Sequence, residues 1–156
     1  MAVSLDEIDV KLLAELQVDA DRPNVELARL IGLSPAATLN RVRRLKESGV
    51  LRRITARLDS TTAGFPLQVY LMVTMARHDE AANRRFEAAL AALPQVIAAD
   101  HVTGEVDAML MVVARDVGEL QNVIARLSTR GASRFVTLLR LSELKPSSPL
   151  PLSPTR

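Results

Sequence analysis

Two stretches of this sequence carry side chains whose types and spacing could do chemistry. The first is NVELARLIGLSPAATLNRVR, Asn24–Arg43, continued by basic residues to Arg57. Asn40, Arg41 and Arg44, with the small Ala37, are expected on one helix face. Asn and Arg there have the bidentate donor geometry that reads adenine and guanine edges in a major groove. Arg43, Lys46, Arg52 and Arg53 suit phosphates on either side. Ser34 and Thr38 complete the candidate contacts at the start of the helix, where outward N–H groups favour an anion. The second stretch is Thr103-Gly104-Glu105-Val106-Asp107. A turn glycine permits an unusual φ, its neighbouring amides could hold a carboxylate, and Asp107 could face an ammonium group. That combination would suit a zwitterionic amino acid. A plain hairpin, turned by Gly104 and capped by Asp107, would use the same residues.

Other chemistry finds little support. With no Cys and only His78 and His101, thiolate nucleophiles, Cys-based metal sites and multi-histidine metal sites are excluded. No phosphate-binding, dinucleotide-binding or nucleophile-elbow glycine motif is present. His101 lies near Asp100 and Asp107 but has no evident partner nucleophile. No metal, cofactor or catalytic residue is expected. The absence of Trp and the single Tyr argue against aromatic platforms for single strands.

Charge singles out the first stretch again. Residues 1–28 hold two basic and seven acidic side chains, residues 29–57 eight basic and one acidic, and residues 58–156 ten of each. The whole positive excess sits in one short segment, the electrostatic footprint of a polyanion-binding element. The start, MAVSLDEIDV, is acidic and does not read as a signal peptide. The apolar stretch within Gln68–Ala76 is far short of the roughly 18 residues that span a bilayer. A soluble cytoplasmic protein, with no membrane partner, is the expectation.

The elements that must position these groups follow from local signals. Ser4 to Glu7 has the form of a capping box ahead of a helix over about 5–18. Val25, Leu27, Ala28 and Ile31 mark a second, short helix stopped by Gly32. Ser34-Pro35 starts a third, with Ser as N-cap and Pro at the first helical position. Leu39, Val42 and Leu45 form its expected buried stripe, and Gly49 its end. Ala28 lets two helices approach, and Gly32 makes the sharp turn of a helix-turn-helix. Ile54, Ala56 and Leu58 alternate as in a strand or wing. Beyond a hinge at Thr61–Gly64, strands over 65–76, 96–102, 106–114 and 134–144 alternate with helices over 79–93 and from Asp116 to Gly131. This order is βαββαβ, the split, ferredoxin-like arrangement. Pro146–Arg156, rich in Pro and Ser, is expected to be disordered.

The strands predict assembly. Leu67, Val69, Leu71 and Val73 are apolar, and so are their alternates Tyr70 and Met72. Met109 to Val113 repeats the pattern. Two helices cover one face of such a sheet, so the other needs cover too. The same sheet of a second subunit is the simplest cover. The N-terminal helices folded back are the other.

The stretch from Leu5 to Asp59 resembles the DNA-binding half of the leucine-responsive/asparagine regulator (Lrp/AsnC, feast/famine) family, above all in LSPAATLNRVRRLKESGV, Leu33–Val50. VTGEVDAMLMV (Val102–Val112) and TLLRLSELK (Thr137–Lys145) are similar to that family's ligand-sensing half. Arg52-Arg53 is more basic than the family's usual wing. The resemblance implies a regulator of α+β class, with a winged helix-turn-helix over 1–60, a ferredoxin-like sensing and oligomerising domain over 61–145, and a tail over 146–156. It implies duplex DNA as partner, homodimers assembling to tetramers or octamers, and an amino-acid effector held between dimers by Thr103, Gly104, Glu105, Asp107 and Thr137. A sequence-independent DNA-bending protein would share the first half. A small ferredoxin-like enzyme would share the second, but it leaves the basic segment unexplained.

Overall fold

A computed structural model describes residues 3–77 and 79–154, so His78 lies outside the described residues. The chain divides into two units, residues 1–57 with 145–156, and residues 58–144.

The first unit is built from α1 (Glu7–Val18), α2 (Asn24–Ile31) and α3 (Pro35–Glu47). Its start differs from the expected Ser4 box. Asp6 is the N-cap and accepts the Asp9 N–H at 2.7 Å, while the Asp9 carboxylate accepts the Asp6 N–H. The two-residue shift puts Leu5 just before the cap, buried in the same cluster as Val10, as in a hydrophobic staple. Leu12, Leu13 and Leu16 pack with Leu27, Ile31 and Leu45 to form the core.

Two expectations fail at the borders of this unit. Residues 52–58 form no strand and no wing. Their alternation has no partner strand to pair with, and all seven are exposed. The tail, in turn, is not the loose segment its composition suggests. The Leu150 N–H donates to Gln17 Oε1 at 2.7 Å, and Leu152 packs half-buried against the helical cluster. One apolar side chain with a place to go anchors a Pro/Ser-rich segment.

The second unit has the expected βαββαβ order: β1 (Leu67–Met75), α4 (Glu80–Ala91), β2 (Val96–His101), β3 (Ala108–Ala114), α5 (Val117–Ser128) and β4 (Ala132–Leu139). The strands form one antiparallel sheet in the order β2-β3-β1-β4. Asp79 and Asp116 cap the two helices, accepting the N–H groups of Ala82 and Glu119 at 2.7 and 2.8 Å. Val69, Leu71, Val73, Leu110 and Val112 lie beneath the helices with Phe86, Val123 and Leu127. Cross-strand register puts Tyr70 with Met111 and Leu138, and Met72 with Met109 and Val136, on the opposite face. The two helices of this unit pack on the other side, and the side chains of this face are half-buried or exposed. The last strand ends at Leu139, short of the expected 144, and Leu141 and Leu144 are exposed.

Candidate DNA interface and ligand turn

The helix-turn-helix is assembled by local chemistry. Gly32 adopts φ 73°, a left-handed C-cap, and nothing lies within 4 Å of a Cβ placed there. Its conformation, not lack of space, demands glycine. The Leu33 N–H then donates to Ala28 O at 2.9 Å, and Ala28 is buried at the α2 crossing. Ser34 caps α3 by accepting the Ala37 N–H at 3.2 Å. Asn24 Nδ2 reaches across from α2 to Pro35 O at 2.8 Å, tying the two helix starts together.

The face that α3 turns outward is not the one the sequence suggests. Thr38, a candidate DNA contact, is 0% exposed, and its hydroxyl donates to Ser34 O at 3.0 Å. Leu39, expected in the core, is 50% exposed. The inward stripe runs through buried Thr38, half-buried Val42 and buried Leu45, one residue round the helix from the predicted start of the stripe. Ala36, Leu39, Asn40, Arg43 and Lys46 are exposed, while Ala37 is half-buried.

Arg41 and Arg44, both assigned to base edges, are engaged inside the unit. Arg41 reaches Asp6 at 2.7 Å and Asp9 at 2.8 Å, and Arg44 contacts the other oxygen of Asp9. The Asp9 backbone N–H first, and then the Arg41 guanidinium, hold the Asp6 carboxyl below its usual pKa. Asp9 itself is 0% exposed, so it meets the rule that a buried charge is paired. Two of the eight basic residues of 29–57 are therefore spent internally, on two of the seven acidic residues of 1–28. A clue was present in the sequence, in two Asp and two Arg each three residues apart on facing helices. Among the described residues, Arg43, Lys46, Arg52 and Arg53 have no ion pair, and all are exposed. The cationic surface of this unit is narrower than the composition implies, and it is centred on the outer edge of α3 and the segment that follows it.

In the second unit, Thr103, Gly104 and Glu105 are exposed on the turn between β2 and β3, with Gly104 at φ 131°. Asp107 closes that turn. Its carbonyl accepts the Val102 N–H, its N–H donates to Val73 O, and its Oδ2 accepts the Met75 N–H at 2.7 Å. The carboxylate thus joins the turn to the end of β1, the structural role that a hairpin alone would require. Thr137 stands opposite Leu71, exposed on edge strand β4, with β1 between it and β3. Within one chain the turn residues cluster and Thr137 is set apart from them. Clefts of roughly 200–400 Å³ on this unit are lined by other residues. His101 ends β2, exposed, with Nε2 3.6 Å from Glu87 Oε1. Among the described residues no group of His, Asp and Glu could hold a metal ion, and no helix is long and apolar enough to cross a membrane.

Comparison with known proteins agrees with both halves. Residues 5–46 match the AsnC-type helix-turn-helix domain, and residues 68–150 match the Lrp/AsnC ligand binding domain. A leucine-responsive regulatory protein of Rhizobium meliloti is 38% identical over 145 residues, 92% of this chain and 93% of that protein. The regulator AldR of Mycolicibacterium smegmatis is 34% identical over 151 residues, 96% of this chain and 88% of that one. A transcriptional regulator of Neisseria meningitidis, solved as an L-methionine complex, superposes with TM-score 0.87 at 29% identity, covering 95% of this chain and 97% of its own. These are transcriptional regulators, not enzymes.

Proposed function

The chain belongs to the Lrp/AsnC family of transcriptional regulators, and from that premise we propose how its own residues divide the work. Duplex DNA is held by the outer edge of α3. Asn40, flanked by Ala36 and Leu39, faces base edges. Arg43, Lys46, Arg52 and Arg53 take phosphates, with Ser34 at the helix N-terminus. Thr38, Arg41 and Arg44 hold the helix rather than read the sequence. The carrying observation is that Asn40, Arg43 and Lys46 are exposed, without an ion pair among the described residues, on a capped helix whose two other arginines are engaged by Asp9.

The second unit senses a small effector. An amino acid, as in the L-methionine complexes of the Neisseria regulator and of a Mycobacterium tuberculosis feast or famine protein, would meet the amides around Gly104 and the charge of Asp107. Thr137 joins that site only through a neighbouring subunit. The uncovered sheet face, Tyr70, Met72, Met109, Met111, Val136 and Leu138, pairs two chains into a dimer, and dimers assemble further in the cytoplasm. Effector binding then biases the packing of dimers and, through linkage, the spacing of half-sites that can be held.

Mobility shift at two salt concentrations tests the DNA reading. Neutralising Arg43 and Lys46 should weaken binding to all sequences and flatten its salt dependence. Asn40→Ala should instead lose discrimination between sites, by roughly 1–3 kcal/mol. Unchanged affinity in the Arg43/Lys46 double variant would overturn this placement. A thermal-shift screen of the twenty amino acids tests the sensing half.

A further inference from the structure

We propose that the groove between α4 and α5 is an anion site for a phosphate-bearing ligand, separate from the effector turn and from α3. A cleft of about 270 Å³ opens there, lined by Arg85 from α4 and Arg126, Thr129 and Arg130 from the end of α5. Ala88 and Ala92 give it a small-residue floor. No carboxylate lines it.

The charge arrangement is the argument. Residues 58–144 carry eight arginines against ten acidic side chains, so carboxylates are plentiful in this unit. Arg77, Arg84 and Arg140 pair with Asp79, Glu80 and Glu143. Arg115 stacks over the Phe65 ring and its backbone is held by Glu119. Among the described residues only Arg85, Arg126, Arg130 and Arg134 have no such partner, and three of those four line this one cleft. Arginines at a helix C-terminus offset its dipole, which accounts for Arg126 and Arg130. It does not account for Arg85, in the middle of α4, facing the same space. Three guanidinium forks around one concavity match the several oxygens of a phosphate or diphosphate. The Thr129 hydroxyl, which donates to Arg126 O at 2.9 Å, keeps its lone pairs for a bridging water or a ligand hydroxyl. Two sources could supply that chemistry, the backbone of bound DNA and a phosphorylated small molecule.

Inorganic pyrophosphate is the probe, titrated calorimetrically into the full chain carrying Arg43→Gln and Lys46→Gln, which removes competing binding at α3. Binding is expected, and Arg126→Gln with Arg130→Gln should weaken it at least tenfold, as should Arg85→Gln on its own. Arg134→Gln, equally unpaired but outside the cleft, should leave it unchanged. Glutamine keeps helix propensity, and a thermal melt verifies the fold of each variant. The source is separated with the natural α3 restored. If the ligand is DNA, the Arg126/Arg130 variant lowers the salt slope of duplex binding by about one per arginine lost. If it is a small molecule, the slope stays and only pyrophosphate binding falls. Equal pyrophosphate affinity with and without the cleft arginines, or no binding at all, overturns the proposal.

Discussion

The two units of this chain solve the same problem with different materials. Residues 58–144 are held by a large apolar cluster in which Phe86, Leu71, Leu110, Leu127 and their neighbours are fully covered, and their charges stay at the rim. The helical unit has a smaller leucine cluster and adds a carboxylate, Asp9, sealed between two arginines of α3. An apolar core tolerates changes of salt and pH. A buried ion pair fixes an orientation, but removing one partner leaves a charge stranded. The lesson is that the unit which must aim a helix uses directional contacts where the sheet unit uses area.

Several substitutions would sharpen that contrast or break it. Replacing Arg41 and Arg44 together by Met should have the largest effect, destabilising the helical unit by about 3–5 kcal/mol by leaving the Asp9 carboxylate buried without its cationic partners. Residue-resolved hydrogen exchange should show α1–α3 losing protection while the strands keep theirs. Leu71→Ala should do the reverse, at about 2–5 kcal/mol. If the Arg41/Arg44 double variant proved as mild as a surface change, the ionic account of this unit would fail. Asp107→Ala should cost about 1–3 kcal/mol in the sheet unit by orphaning the Met75 N–H. Asp107→Asn keeps an acceptor there and removes the charge, so effector-induced stabilisation should fall while the melting temperature nearly holds. Acidification gives a smaller effect. The Asp6 carboxyl is held below its ordinary value of 3.8, so its contribution is present above that pH and is lost as pH falls through the lowered value. Exchange rates in α1 should rise below about pH 4, and Asp6→Asn should remove that dependence. Deleting residues 146–156 should be mildest, about 1 kcal/mol, from one half-buried leucine, with the mass of the assembly in solution otherwise unchanged and duplex binding in a mobility shift retained.

What the sequence made legible was what local chemistry decides. Ser34-Pro35, Gly32, Asp79 and Asp116 each act within three or four residues, and each stands where it was read. The βαββαβ succession of elements followed from apolar patterning and turn signals. The outward face of α3 did not, because stripes beginning at Thr38 and at Leu39 fit the same helical period. A threonine that satisfies its hydroxyl on its own helix is as good a core residue as a leucine. The Asp9–Arg41–Arg44 contacts join positions more than thirty residues apart, beyond any periodic signal, and so basic residues were all counted as outward. Ile54, Ala56 and Leu58 show the converse, an alternation with no strand to meet it. Leu152 shows how little apolar surface seats a segment whose composition argues for disorder.

Because Asp9 grips α3 through Arg41 and Arg44, the mounting of that helix and the surface proposed to meet DNA occupy different side chains. Ala36, Leu39, Asn40 and Arg43 can then be exchanged as a set, as a typeface is changed on a fixed carriage, without re-engineering the scaffold behind them. A library randomised at those four positions should yield folded proteins with altered operator preference, whereas one randomised at Thr38, Arg41 and Arg44 should yield mostly misfolded chains.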